Sequence, residues 1–113
     1  AQDQAVRADR PVVFESGKKK HDGLLQRLGE TKLRVRAAHA PSLYERISVI
    51  IKVPETPKDP LVLTVEVTRV RPPDGENPDG SFDARMSSSN SATTMTRLRA
   101  LIAEMGGVDR AAS

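Results

Sequence analysis

The sequence predicts a mainly β protein: a small antiparallel β-barrel of five to six strands, closed by a C-terminal α-helix. Three observations carry this reading. Apolar residues alternate with polar ones at a period of two in several segments between residues 32 and 86, which gives each strand one greasy face. The connections between these segments are short and rich in Pro, Gly and Asp, as hairpin turns of an antiparallel sheet require. After residue 91 the apolar spacing changes to that of a helix. One amphipathic helix covers only part of a sheet's apolar face, whereas curling the sheet into a barrel hides the rest and removes the exposed edges.

Residues 1–11 are polar, end at Pro11 and are expected to form a flexible N-terminal segment. Val12-Val13-Phe14 reads as a short first strand, and residues 15–23, with Gly17, Lys18-Lys19-Lys20 and Asp22-Gly23, as a polar loop. Leu24, Leu25 and Leu28 fit either a strand or one helical turn. Leu33, Val35 and Ala37 then alternate with Lys32, Arg34 and Arg36, so three cations share one outer face. Residues 47–53 are β-branched at five of seven positions, with Ile47, Val49, Ile51 and Val53 predicted inward. Three prolines between 54 and 60 enforce a turn. The longest strand starts at Leu61 and runs to Val70, and its parity slips near Thr68-Arg69, which predicts a bulge. Asp74-Gly75 and Asp79-Gly80 mark the next turn, and Phe82, Ala84 and Met86 define the last strand. Residues 87–91 offer several helix N-caps. Met95, Leu98, Leu101, Ile102 and Met105 form one apolar stripe on a helix over 92–105, with Arg97, Arg99 and Glu104 facing away. Gly106-Gly107 is expected to stop it, leaving 106–113 as a flexible tail.

Composition narrows the function classes. The chain has 113 residues, enough for one domain, and a net charge of +3. It contains no cysteine, which excludes disulfides, thiolate metal sites and cysteine nucleophiles. No apolar run reaches the length of a membrane helix, and the first ten residues hold no signal-like apolar core. A cytoplasmic location with no membrane contact is expected. His21 and His39 are the only histidines and read as exposed loop residues without further metal ligands. The serines of 87–91 lack a nucleophile elbow and a neighbouring histidine. Asp74 with Glu76, and Asp79 with Asp83, read as turn carboxylates rather than an acid–base pair. No catalytic residue, cofactor or metal is therefore expected.

In this order the segments resemble the PilZ domain family over residues 12–105. Leu61-Val62-Leu63-Thr64-Val65-Glu66-Val67, running on to Pro72, is similar to the family's long strand and its turn. Asp83-Ala84-Arg85-Met86 is similar to the next strand, and residues 95–102 to the closing helix. The resemblance implies a PilZ-like barrel and, in typical members, cyclic di-GMP bound through an Arg-x-x-x-Arg and an Asp/Asn-x-Ser-x-x-Gly motif. This chain departs from both. Arg7 and Arg10 are spaced by three, and aligning the 32–35 strand puts Arg27, Gly29 and Lys32 where the second motif has its acid or amide, serine and glycine. The resemblance thus implies a degenerate member acting through a protein partner in motility, pilus or polarity signalling.

The row Lys32, Arg34, Arg36 has charges about 6.6 Å apart from the strand rise and suits either solvent or an anionic partner. The partner-binding residues expected are Arg34, Arg36, Arg69 and Arg71, as exposed cations near strand ends, meeting a protein surface that is acidic. Two alternatives stand beside this adaptor reading. One is a cyclic di-GMP receptor with the divergent arginines Arg7 and Arg10. The other is a nucleic-acid-binding barrel, for which the three aromatics Phe14, Tyr44 and Phe82 are few stacking platforms. Neither nucleotide nor nucleic acid is the expected partner, and the sequence leaves the oligomeric state open.

Overall fold

The computed structural model describes residues 5–54, 56–75 and 79–112, with 106–112 by backbone alone. Of the positions read above, residues 1–4 of the N-terminal segment, Glu76 and the last residue of the 106–113 tail lie outside it. Six strands run β1 (Val6–Ser16), β2 (Lys19–Leu28), β3 (Lys32–Ala37), β4 (Arg46–Ile51), β5 (Leu61–Arg71) and β6 (Gly80–Met86), followed by α1 (Ala92–Ala112). They close into a barrel in the order β1-β2-β3-β6-β5-β4, with every pairing antiparallel and β4 returning to β1. The fold is mainly β, as the alternation predicts.

Inward-facing residues from all six strands fill the barrel, among them Phe14, Leu25, Val35, Val49, Leu63, Val65 and Phe82, none with exposed surface. Full burial of each such side chain contributes about 1.5–3 kcal/mol. At one end α1 plugs the barrel with Leu98, Leu101 and Ile102, flanked by half-buried Met95 and Met105. Ser91 caps this helix: its Oγ accepts from the Thr94 N–H at 3.1 Å.

Four expectations need correction. From Val6 onward the N-terminal segment is strand rather than a flexible lead: β1 begins there, and Val6 pairs with Leu28. Val6 and Ala8 pack against the core. A bulge between Arg7 and Arg10, with Asp9 at φ 47°, shifts the pairing of β1 with β2. Pro11 is tolerated because β4 pairs with β1 only at 13–15. The expected 15–23 loop is a tight hairpin. Gly17 (φ 58°) and Lys18 (φ 70°) both take positive φ between Ser16 and Lys19, the geometry whose twist matches paired strands. A second bulge between Leu25 and Arg27 explains why Leu25 and Leu28 both point inward from one strand.

The third correction concerns the helix end. The α1 backbone runs through Gly106-Gly107 to Ala112. Glycine weakens a helix by about 1 kcal/mol relative to Ala but keeps its N–H, so it need not end one. The fourth concerns the polar face of α1. Arg97 turns back to the 56–60 turn, donating to the Asp59 carbonyl at 2.6 Å and to Thr56 Oγ1 at 3.2 Å. Arg99 pairs with Glu30 at 2.7 Å. Glu104 is exposed. The strand predicted over 47–53 ends at Ile51, and Val53 is half-buried beyond it. The parity slip predicted at Thr68-Arg69 is the register shift between Val67 and Arg69.

Asn90 joins the helix entry to the barrel. Its Oδ1 accepts from the Thr64 N–H at 2.9 Å, while its Nδ2 donates to the Thr64 carbonyl at 2.8 Å and the Ser87 carbonyl at 2.9 Å. The side chain thus continues the β5 ladder where β6 has ended at Met86. Asn90→Ala is expected to cost about 1–3 kcal/mol, because the Thr64 N–H is left without its acceptor. A thermal melt measures it, and an unchanged midpoint would count against this link.

Candidate functional site

The register of five strands assembles one charged row on the outer face. Arg7 on β1 is opposite Arg27 on β2, Arg27 is opposite Arg34 on β3, Arg34 is opposite Asp83 on β6, and Asp83 is opposite Arg69 on β5. Four arginines thus line up across the barrel around one aspartate. The neighbouring rows add Lys32, Arg85, Glu66 and Arg46 on one side, and Arg36, Ser81 and Arg71 on the other. Because side chains alternate along a strand, each row sits on the same outward face as the next.

Asp83 is the centre of this face. Arg71 donates to both carboxylate oxygens, at 3.0 and 2.8 Å, and Arg34 Nε donates to Oδ1 at 2.8 Å. The Arg71 contact is a bidentate fork, the stronger geometry for a guanidinium–carboxylate pair. Partial burial pushes the Asp83 carboxyl up. The hydrogen bonds from Arg71 and then Arg34, with their positive charge, outweigh that and hold it below the ordinary aspartate value. The same bond holds the Arg71 proton more firmly than usual, against partial burial. Further ion pairs join Arg85 to Glu66 at 2.6 Å and Arg36 to Asp79 at 3.9 Å.

The four cations predicted for a partner therefore do come together, but not as free charges near strand ends. Arg34 and Arg36 sit within β3, and Arg34 and Arg71 share Asp83. Arg69 is exposed. Two shallow depressions flank Arg34. One, of about 340 Å³, is lined by Arg27, Lys32, Arg34, Thr68 and Asp83. The other, of about 230 Å³, is lined by Gln26, Arg36, Arg71 and Asp79 with Arg34 again on its wall. Asp83, read from the sequence as a turn carboxylate, and Arg27 are the members of this face that sequence reasoning missed. The outward parity of Asp83 was visible in the alternation of the last strand, whereas that of Arg27 was not, and the neighbours of neither could be read, because bulges in β2 and β5 shift the pairing.

Arg7 and Arg10 do not converge. Arg7 pairs with Asp9 at 2.6 Å beside Arg27, whereas Arg10 reaches the Lys52 carbonyl at 3.5 Å, on the β4 side. The expectation of exposed loop histidines holds for His39 and needs correction for His21. His21 lies on β2, and its ring stacks on that of His39 with centroids 4.0 Å apart and planes 11° apart. His21 in turn lies against Phe14, at 5.4 Å. No group of three or more potential metal ligands occurs among the described residues. In the 87–91 loop, Ser87 Oγ bonds Ser89 Oγ at 2.9 Å and Ser91 caps α1, so these hydroxyls organise the turn. No helix among the described residues is long and apolar enough to cross a membrane.

No protein-family model matches the chain, and no curated protein matches it in sequence. Solved structures do. The chain superposes on the PilZ domain of YcgR from Escherichia coli, a structure with c-di-GMP, with a TM-score of 0.71 at 12% identity, covering 97% of this chain and 94% of that one. It superposes on the Bacillus subtilis inhibitor of motility, MotI/DgrA, with a TM-score of 0.68 at 18% identity, covering 92% of this chain and 50% of that one. The chain thus spans about half the length of the latter. The fold is PilZ-like.

Proposed function

We propose that this PilZ-like barrel is a non-catalytic interaction domain whose arginine face receives an acidic protein surface. The observation that carries the reading is the five-strand row Arg7, Arg27, Arg34, Asp83, Arg69. A rigid sheet presents these charges with fixed spacing, which suits recognition of a surface rather than of a small enclosed substrate. The depressions beside Arg34 are shallow, and the ion pairs are partly hydrated, so exchanging them for a partner's carboxylates is a modest rearrangement. The likeness to a motility inhibitor and to a signalling domain supports an adaptor role in bacterial motility signalling. The second reading, a cyclic di-GMP receptor, draws on the YcgR likeness, but Arg7 and Arg10 part ways on β1.

Two titrations test this. A short poly-glutamate peptide is expected to bind the protein at low salt and to weaken steeply as salt rises. Replacing both Arg34 and Arg69 by Glu is expected to weaken it by at least about tenfold, since each reversal turns an attraction into a repulsion. Cyclic di-GMP titrated by calorimetry is expected to give no heat. Micromolar nucleotide binding, or peptide binding indifferent to the two reversals, would falsify the adaptor reading.

A further inference from the structure

The β3–β4 connection holds a feature that the charged face does not explain. Tyr44 has φ 67°. For a bulky aromatic the left-handed region is an outlier, costing roughly 1–2 kcal/mol. The conformation persists because its surroundings over-determine it. The Tyr44 N–H donates to the Val67 carbonyl at 2.7 Å, and the Val67 N–H donates to the Glu45 carbonyl at 2.9 Å. Glu45 accepts from the Ser42 N–H at 2.9 Å through Oε1 and from the Ser16 hydroxyl at 2.6 Å through Oε2. Pro41 is buried at the start of the turn. The loop is pinned to β1 and β5 at once.

The effect of this pinning is to hold two large apolar side chains in solvent. Leu43 is 49% exposed and Tyr44 69% exposed. Single exposed apolar residues are ordinary on a protein surface. Two adjacent ones, raised by a strained and hydrogen-bonded backbone, are not, since strain of this kind concentrates where a conformation is used. The position matters too. Tyr44 bonds Val67, and two residues further along β5 is Arg69, the end of the arginine row.

We propose that Leu43 and Tyr44 form a preorganised apolar anchor at the β5 end of the arginine face. The occupant is a protein segment in which apolar side chains stand beside carboxylates. This rests on the interaction reading above and names the chemistry of its partner. The carboxylates meet Arg34 and Arg69, and the apolar side chains cover Tyr44. A fixed tyrosine suits the role, because it offers a large contact area with few rotors to immobilise.

Tyr44 is the chain's one tyrosine, and there is no tryptophan, so intrinsic fluorescence reports on this loop alone. The test uses two synthetic peptides of equal length and equal negative charge, one with Leu between its Glu residues and one with Ser. The Leu peptide is expected to bind about tenfold tighter and to change the tyrosine emission. In Tyr44→Gly, followed by calorimetry, both peptides are expected to bind equally, while the melting temperature stays at or above that of the parent because glycine accepts this φ freely. Reversal of Arg34 and Arg69 should weaken both peptides alike. Equal binding of the two peptides to the parent, or a Leu preference that survives Tyr44→Gly, overturns the anchor and leaves the basic face standing. If neither peptide binds the parent, the interaction reading fails and the anchor with it.

Discussion

Phe14→Ala is expected to lower the stability by about 3–5 kcal/mol. Phe14 has no exposed surface and meets Phe82 edge-on, with centroids 5.2 Å apart. It also supports the His21 ring from below at 5.4 Å. Gly23 on β2, opposite Val12, leaves room for it. A Cβ on Gly23 would lie 3.3 Å from Phe14 Cε1 and 2.8 Å from Val35 Cγ1, so the missing side chain of Gly23 is the space the ring occupies. Truncation leaves a cavity that β1, β2 and β6 cannot close, because their hydrogen-bonded ladders fix the strand spacing. Urea denaturation checks this, with a lower midpoint at unchanged slope. Phe14→Leu, which keeps most of the volume, is expected to cost less than about 1.5 kcal/mol. A loss below about 1 kcal/mol for the alanine variant would show that the strands do not converge on this ring.

The second large effect runs in two directions at once. Asp83→Asn is expected to lower stability at neutral pH by about 1–2 kcal/mol, since the variant leaves Arg34 and Arg71 as neighbouring cations with a weaker acceptor between them. The same substitution is expected to tighten binding of the poly-glutamate peptide about fivefold, because it removes a like charge from the docking face. The stability difference should depend on pH in a defined sense. Asp83 holds its proton less tightly when folded than when unfolded. Its contribution is therefore complete above the unfolded value of about 3.9 and drains away as the pH falls through the lower folded value. Parent and variant should converge in acid. Glu45 carries the same sign. The Ser16 hydroxyl first, then the Ser42 N–H, hold its carboxyl below the ordinary glutamate value, against partial burial and with help from His39 and the Gly17 N–H. Some acid sensitivity therefore remains in the variant. Thermal melts across pH measure the first effect and titration the second. A destabilised variant with no gain in peptide affinity would separate the Asp83 clamp from the docking surface.

How far each feature could be read in advance depended on its range. The β3, β4 and β5 strands announced themselves because Leu33 to Ala37, Ile47 to Ile51 and Leu61 to Val67 place an apolar residue at every second position, and burial on one face selects for that local pattern. The β1 and β2 strands did not. Each contains a bulge, at Arg7/Arg10 and at Leu25/Arg27, and one extra residue shifts the pairing with the neighbouring strand. Their hairpin was hidden for a different reason: Lys18 adopts a positive φ more usual for Asn or Gly. For the docking face, Arg34, Arg36, Arg69 and Arg71 could be named as outward cations from parity alone. That Arg34 and Arg71 grip one carboxylate could not, since Asp83 lies 49 residues from the one and 12 from the other along the chain.

Side-chain order along the chain determined by itself that this protein is a barrel with a helical plug, because hydrophobic periodicity is a property of neighbours in sequence. Register, and with it the arginine row, the Asp83 clamp and the exposed Tyr44, was decided only in three dimensions. Cross-strand partners are set by bulges, by turn geometry and by the closure of β4 on β1. Those depend on how the whole sheet packs round its core rather than on any one segment.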